Sequence, residues 1–242
     1  MSARAQFLLK EKNTNMHVIN KTNFMLTISA NTDNVEDELV GTMIYNGSIF
    51  TYGSQQILNL LRKAKASNTM NSQTRKAIDY SGKSYNSKKI KIVVLLESPS
   101  DDEYKTKNQN SNSPAFGLTG GRINSQFLPL ISRSVCNTIN SFKKICNNGS
   151  EIEIILVNAI RYQCDLGKKG NRKIIKFVFN HLWTNMNFSK DLYSRLNYIN
   201  PDLIIDACSH DLKALIVWGN VNCKLICHTD HPITWNKNTT MS

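Results

Sequence analysis

Three short apolar runs, each ending on a polar residue, constrain this chain more than anything else in it. Residues 91–96 run into Glu97, residues 154–157 into Asn158, and residues 224–227 into His228 and His231. Continuous Val, Ile and Leu runs of this length fit strands buried on both faces, and such strands belong to parallel sheets covered by helices. Ligands of open α/β sheets bind beyond the carboxyl ends of the strands. An acid, an amide and an imidazole placed there can therefore meet around one ligand.

The rest of the C-terminal part supports that reading. Strands are expected at 90–96, 152–157, 203–207 and 223–227. They alternate with helices at 124–146, 172–186, 189–199 and 210–217. The expected fold class is α/β, with a central parallel four-stranded sheet and helices on both faces. Residues 1–88 have a different texture, rich in Asn, Thr and Ser, and are read as an N-terminal extension ending in a linker. Within it, Ile57, Leu58, Leu61 and Ala64 share one face of an expected docking helix over 54–66. Residues 89–242 form the expected catalytic domain.

Charge narrows the partners. Thirty Lys and Arg against eighteen Asp and Glu leave a formal net charge of +12, which suits a polyphosphate, and nucleic acid is the expected partner. The N-terminus lacks a signal-peptide pattern, and no stretch approaches the ~20 apolar residues of a membrane span. The expectation is a cytoplasmic monomer. Six scattered cysteines in a chain of 242 residues imply reduced thiols rather than a disulfide framework.

Zinc-like spacing at Cys223, Cys227, His228 and His231 fails on geometry. A strand rises about 3.3 Å per residue, so the two cysteines would stand roughly 13 Å apart. Two thiolates on one zinc lie within about 4.6 Å of each other. No metal site is expected.

The first strand leads into Glu97, Ser98, Pro99 and Ser100, then Asp101, Asp102 and Glu103, and later Pro114, Phe116, Gly117, Gly120, Gly121 and Arg122. Here the chain resembles the uracil-DNA glycosylase superfamily. Its iron-sulfur branch carries Gly-Glu-Ala-Pro-Gly after the first strand and then Pro-Phe-Val-Gly-x-Ala-Gly. Glu97 matches the glutamate, Pro99 the proline, Phe116 the base-stacking phenylalanine and Gly121 the last glycine. Residues 155–160 are similar to the Leu-Leu-Asn-Ala-Val of the classical enzymes, and His231-Pro232-Ile233-Thr234 to their His-Pro-Ser-Pro. The resemblance covers residues 90–235 in family order.

The resemblance implies a monofunctional DNA glycosylase that flips a nucleotide out of the stack and breaks its C1′ to base bond. Glu97 would face the oxocarbenium-like sugar and orient the attacking water, and His231 would donate to the departing base. Asn158 would read the base edge and Phe116 would stack on the ring, with Ser98, Pro99, Ser100 and Gly117 completing the pocket. Backbone N–H groups of Gly120 and Gly121, with Arg122, would hold phosphates. The basic loop carrying Arg161, Lys168, Lys169, Arg172, Lys173 and Lys176 would grip the DNA backbone, and Ile233 or Trp235 would wedge into the gap left by the flipped base, a buried, packing Trp235 being the competing reading.

Departures from the family pattern bear on substrate. Classical members have an aspartate where Ser98 stands and a tyrosine, which excludes C5 substituents, where Ser100 stands. The small wall here suits a C5-modified pyrimidine, as in phage-defence glycosylases of the superfamily that remove glucosylated hydroxymethylcytosine from phage DNA. Uracil excision in repair and a non-catalytic DNA sensor are the alternatives. A metal-dependent nuclease built on Asp101, Asp102 and Glu103 is a third. No cysteine precedes Cys136, so the iron-sulfur cluster is not expected to carry over, and no cofactor is implied.

Overall fold

The computed structural model describes residues 17–21, 24–28, 34–52, 76–99, 103, 114–115, 118–162, 164 and 172–242. Strands β1 (His17–Lys21) and β2 (Phe24–Ile28) form a separate antiparallel pair. Among the described residues the main sheet has seven strands. Its parallel part runs β7 (Ser150–Asn158), β6 (Ile90–Leu96), β8 (Leu203–Asp206) and β9 (Ile226–His228), in that spatial order. The expectation of a purely parallel four-stranded sheet is thereby corrected. Strand β3 (Glu38–Tyr45) adds antiparallel to β7, with β4 (Phe50–Tyr52) and the two-residue β5 (Lys76–Ala77) pairing on β3.

The antiparallel addition was hidden because β3 alternates between buried and half-buried positions, with Gly41 and Thr42 diluting its apolar signal. Strands half-covered on one face lack the unbroken apolar run that marks β6 and β7. A register shift between Leu39 and Gly41 further breaks the two-residue period.

Helices cover the two faces as strand alternation dictates. Ile92, Val94, Ile152, Ile154 and Leu156 pack with Ile123 and Phe127 of α1 (Leu118–Arg133) and Phe142 of α2 (Asn137–Ile145). Val93, Leu95, Ile155 and Val157 pack with Phe179 and Trp183 of α3 (Arg172–Asn185) and Leu192 and Leu196 of α4 (Phe188–Ile199). The single helix expected over 124–146 is two, interrupted at Ser134, Val135 and Cys136, none of which is a Gly or Pro that would mark a break. The helix expected over 210–217 is one turn, α5 (His210–Lys213), and the last strand starts three residues later than expected. The docking helix over 54–66 lies outside the described residues. No helix among the described residues is long and apolar enough to cross a membrane.

A buried ionic hub joins residues 34–37 to the carboxyl end of β7. The Arg195 guanidinium, 4 % exposed, donates through Nη1 to both oxygens of the fully buried Asp37 (2.9 and 2.7 Å). Its Nε donates to Asp191 (2.8 Å) and its Nη2 to the carbonyls of Asn158 and Ala159 (3.0 and 3.3 Å). The Tyr80 hydroxyl adds a bond to Asp37 at 2.5 Å. A buried ion pair survives desolvation only when its remaining donors and acceptors are met, and here the backbone of β7 meets them.

Candidate active site

The parallel strand order reverses at β6. The chain leaves it towards β7 on one side, then returns to β8 on the other. Such a switch point opens a crevice at the carboxyl ends of the two central strands. A cavity of about 280 Å³ lies there, lined by Glu97, Ser98 and Pro99 after β6, Ser209 and Leu212 after β8, and Arg172, Ile175 and Lys176 of α3. His231, Ile233 and Thr234 close it from the loop after β9.

Glu97 follows β6 directly, and its Oε2 accepts from the backbone N–H of Ser209 at 3.4 Å. Behind that contact Asp206, fully buried at the end of β8, accepts from the Cys208 N–H at 3.1 Å and faces His228 Nδ1 at 3.0 Å. The turn carrying Ser209 is thus held from within the sheet.

The His231 loop is a one-turn 3-10 segment, Pro232–Thr234, with Pro232 at its start. The carbonyl of His231 accepts from the Thr234 hydroxyl (2.7 Å) and N–H (3.0 Å). Nδ1 of His231 accepts from the Ile233 N–H at 3.4 Å, which leaves the ring proton on Nε2. Burial, reinforced by the Arg172 and Lys213 charges, pushes the His231 imidazole down to about 4. At neutral pH it is an uncharged hydrogen-bond donor.

Trp235 is not a surface wedge. Its ring is 1 % exposed, stacks at 25° to that of Phe127 of α1 with centroids 6.4 Å apart, and donates through Nε1 to the Asp230 carbonyl at 2.7 Å. It anchors the His231 loop on α1. Arg133 helps from the end of that helix, donating to the carbonyls of Asn236 and Thr239. The sequence leaves Trp235 open between a wedge, since the family's loop carries an apolar intercalator, and a packing residue, and it packs. Ile233 is 48 % exposed at the cavity rim.

The structure brings together Glu97, Ser98, Pro99, Arg172, Ile233 and His231 in one cavity. Asn158 ends β7 opposite Leu96 but does not line it. Strand alternation puts its side chain on the α1 face with Leu156. The Asn158 amide is 1 % exposed, and neither its Oδ1 nor its Nδ2 has a hydrogen-bond partner. Buried unpaired amides are rare and costly. Gly120, Gly121 and Arg122 fall in the first turns of α1 and do not line the cavity, with Arg122 exposed. Ser100, Phe116, Gly117, Lys168 and Lys169 lie outside the described residues.

Lys176, read from the sequence with the basic loop, lines the cavity from α3, whereas Ser209, Ile175 and Leu212 escaped the sequence reading. Ile175 and Leu212 line it from helices whose sequence pattern reports only packing, and Ser209 from the turn that caps α5. Glu103, weighed as a metal ligand, is 4 % exposed, and its carboxylate accepts from the Ala115 N–H at 2.7 Å. Ala115 there takes a left-handed backbone, φ 54°. Among the described residues no group of three or more His, Cys, Asp or Glu is placed to hold a metal ion. No family model, curated protein or solved structure matches this chain.

Proposed function

We propose that this chain is a monofunctional DNA glycosylase that excises a flipped pyrimidine, one modified at C5, and leaves an abasic site. The observation that carries the reading is the meeting of Glu97 and His231, from opposite ends of the domain sequence, in one cavity at the strand switch point. Its volume of about 280 Å³ is near the lower end of the ~300–1,000 Å³ of small-molecule sites, a scale suited to a single base. Exposed Arg172 and Lys176 at the cavity and the +12 net charge suit a phosphate backbone passing over it.

Each group then has a task. Bond cleavage develops positive charge on the sugar and negative charge on the base. The Glu97 carboxylate stabilises the former and orients water for attack at C1′. The neutral His231 donates from Nε2 to the departing base, which costs no proton transfer from a charged imidazole. Ile233 is the residue available to fill the vacated stack.

The test is base release in the presence of EDTA from oligonucleotides carrying uracil, hydroxymethylcytosine or glucosylated hydroxymethylcytosine, scored as alkali-labile abasic sites. Excision at the modified base, lost in Glu97→Gln, is the expected result. Excision of uracil alone would make it a repair enzyme. DNA binding with no abasic sites on any substrate would replace the enzyme by a non-catalytic sensor.

A further inference from the structure

Away from the cavity, Cys136 and Cys227 face each other with their sulfurs 3.7 Å apart. Cys136 precedes α2 as its N-cap residue, and Cys227 is the central residue of the edge strand β9, fully buried. The two are 91 residues apart in sequence, so no local motif announces the pair. A disulfide needs the sulfurs at about 2.05 Å, so oxidation has to draw the two together from their contact distance.

We propose that Cys136 and Cys227 are a peroxide-reactive pair that closes to a reversible disulfide between α2 and β9. The division of labour follows from their surroundings. Cys136 is the one cysteine of the six that is not buried, and an oxidant can reach it. Burial works to raise its thiol, but the Ser134 hydroxyl, the Cys227 thiol and the N–H groups of Ile139 and Thr138 at the start of α2 outweigh it, and the thiol lies below its usual value. Burial pushes the Cys227, Cys208 and Cys223 thiols up, and Cys146 up to about 11.

The chemistry balances with hydrogen peroxide as the two-electron oxidant. The Cys136 thiolate attacks one peroxide oxygen, the O–O bond breaks, and the departing hydroxide takes a proton to leave as water. The Cys136 sulfenic acid is then attacked by the Cys227 sulfur, which gives up its proton as the S–O bond breaks and a second water leaves. Two thiols are oxidised to one disulfide and one peroxide is reduced to two waters. A dithiol reverses the step. The bond would clamp β9 four residues before His231, on the strand that carries the His231 loop.

The native full-length protein is treated with peroxide, its remaining thiols are alkylated, and it is digested without reductant. The expected result is four alkylated cysteines in place of six, a linked peptide pair carrying Cys136 and Cys227, and full recovery of both thiols with dithiothreitol. In Cys227→Ala the reaction should stop at a Cys136 sulfenic acid trapped by dimedone, and Cys136→Ser should keep all its thiols at the same dose. Oxidation of Cys136 to sulfinic acid in the wild type while Cys227 stays alkylatable would overturn the proposal. So would a Cys136 disulfide between two chains, or loss of thiols undiminished in Cys136→Ser.

Discussion

Ser209 donates its backbone N–H to the Glu97 carboxylate at 3.4 Å, tying together the ends of two neighbouring parallel strands. The bond orients the acid without neutralising it, as a general base or electrostatic stabiliser requires. Asp206, one strand-end residue behind, holds the turn that presents that N–H through Cys208.

Replacing Asp206 by Ala should therefore act at a distance. It leaves the Cys208 N–H unpaired inside the sheet, which costs about 1–3 kcal/mol. It also frees the turn that aims Ser209 at Glu97. Urea denaturation is expected to show the stability loss, and base release should fall in turnover more than in substrate affinity.

His231 provides a pH signature. Burial and the Arg172 and Lys213 charges hold its folded value at about 4, against about 6.5 in an unfolded chain. Between those values the unfolded state binds a proton that the native state refuses, so this group lowers stability as pH falls from about 6.5 to about 4, and has no effect above that window. The ring resonances of His231 should titrate near pH 4. In Arg172→Gln the midpoint should move upward, and a wild-type midpoint near 6.5 would show that the imidazole is not held neutral.

The Arg195 hub should be intolerant of one-sided change. Arg195→Met strands the Asp37 charge in the core and is expected to cost about 3–5 kcal/mol, measured by equilibrium unfolding. Tyr80→Phe removes one hydrogen bond to the same carboxylate and should cost more than a surface substitution but less than Arg195→Met.

Trp235 and Ile233, two residues apart, should separate stability from DNA handling. Trp235→Ala empties a core position and is expected to cost about 3–5 kcal/mol. Ile233→Ala, at an exposed position, should leave stability within about 0.5 kcal/mol while weakening base release from duplex more than from single-stranded DNA. Equal destabilisation by both would count against the assignment of Ile233 to the DNA.

Arg172 and Lys176 should reveal themselves in salt. Each Lys or Arg that neutralises a phosphate contributes close to one unit to the slope of log affinity against log salt. Arg172→Ala and Lys176→Ala are each expected to flatten that slope by about 1, and unchanged slopes would remove phosphate contact from their roles.

By itself the sequence determined the parallel heart of the sheet and the residues at its strand ends. Runs such as 91–96 and 154–157 are buried on both faces, and only a strand between helix layers buries an unbroken apolar run of that length. Glu97, Asn158 and His231 were legible for the same reason, as polar residues punctuating apolar ones. Tertiary structure decided what depends on neighbours far along the chain. It turned Asn158 towards α1 rather than into the cavity, put Trp235 under the His231 loop instead of on the surface, and added β3 to the edge of β7. It also paired Arg195 with Asp37 and Cys136 with Cys227, across 158 and 91 residues. Local periodicity reports which face of an element is buried, but the partner on that face is set by packing of the whole chain, and the chemistry of a site lies in those partners.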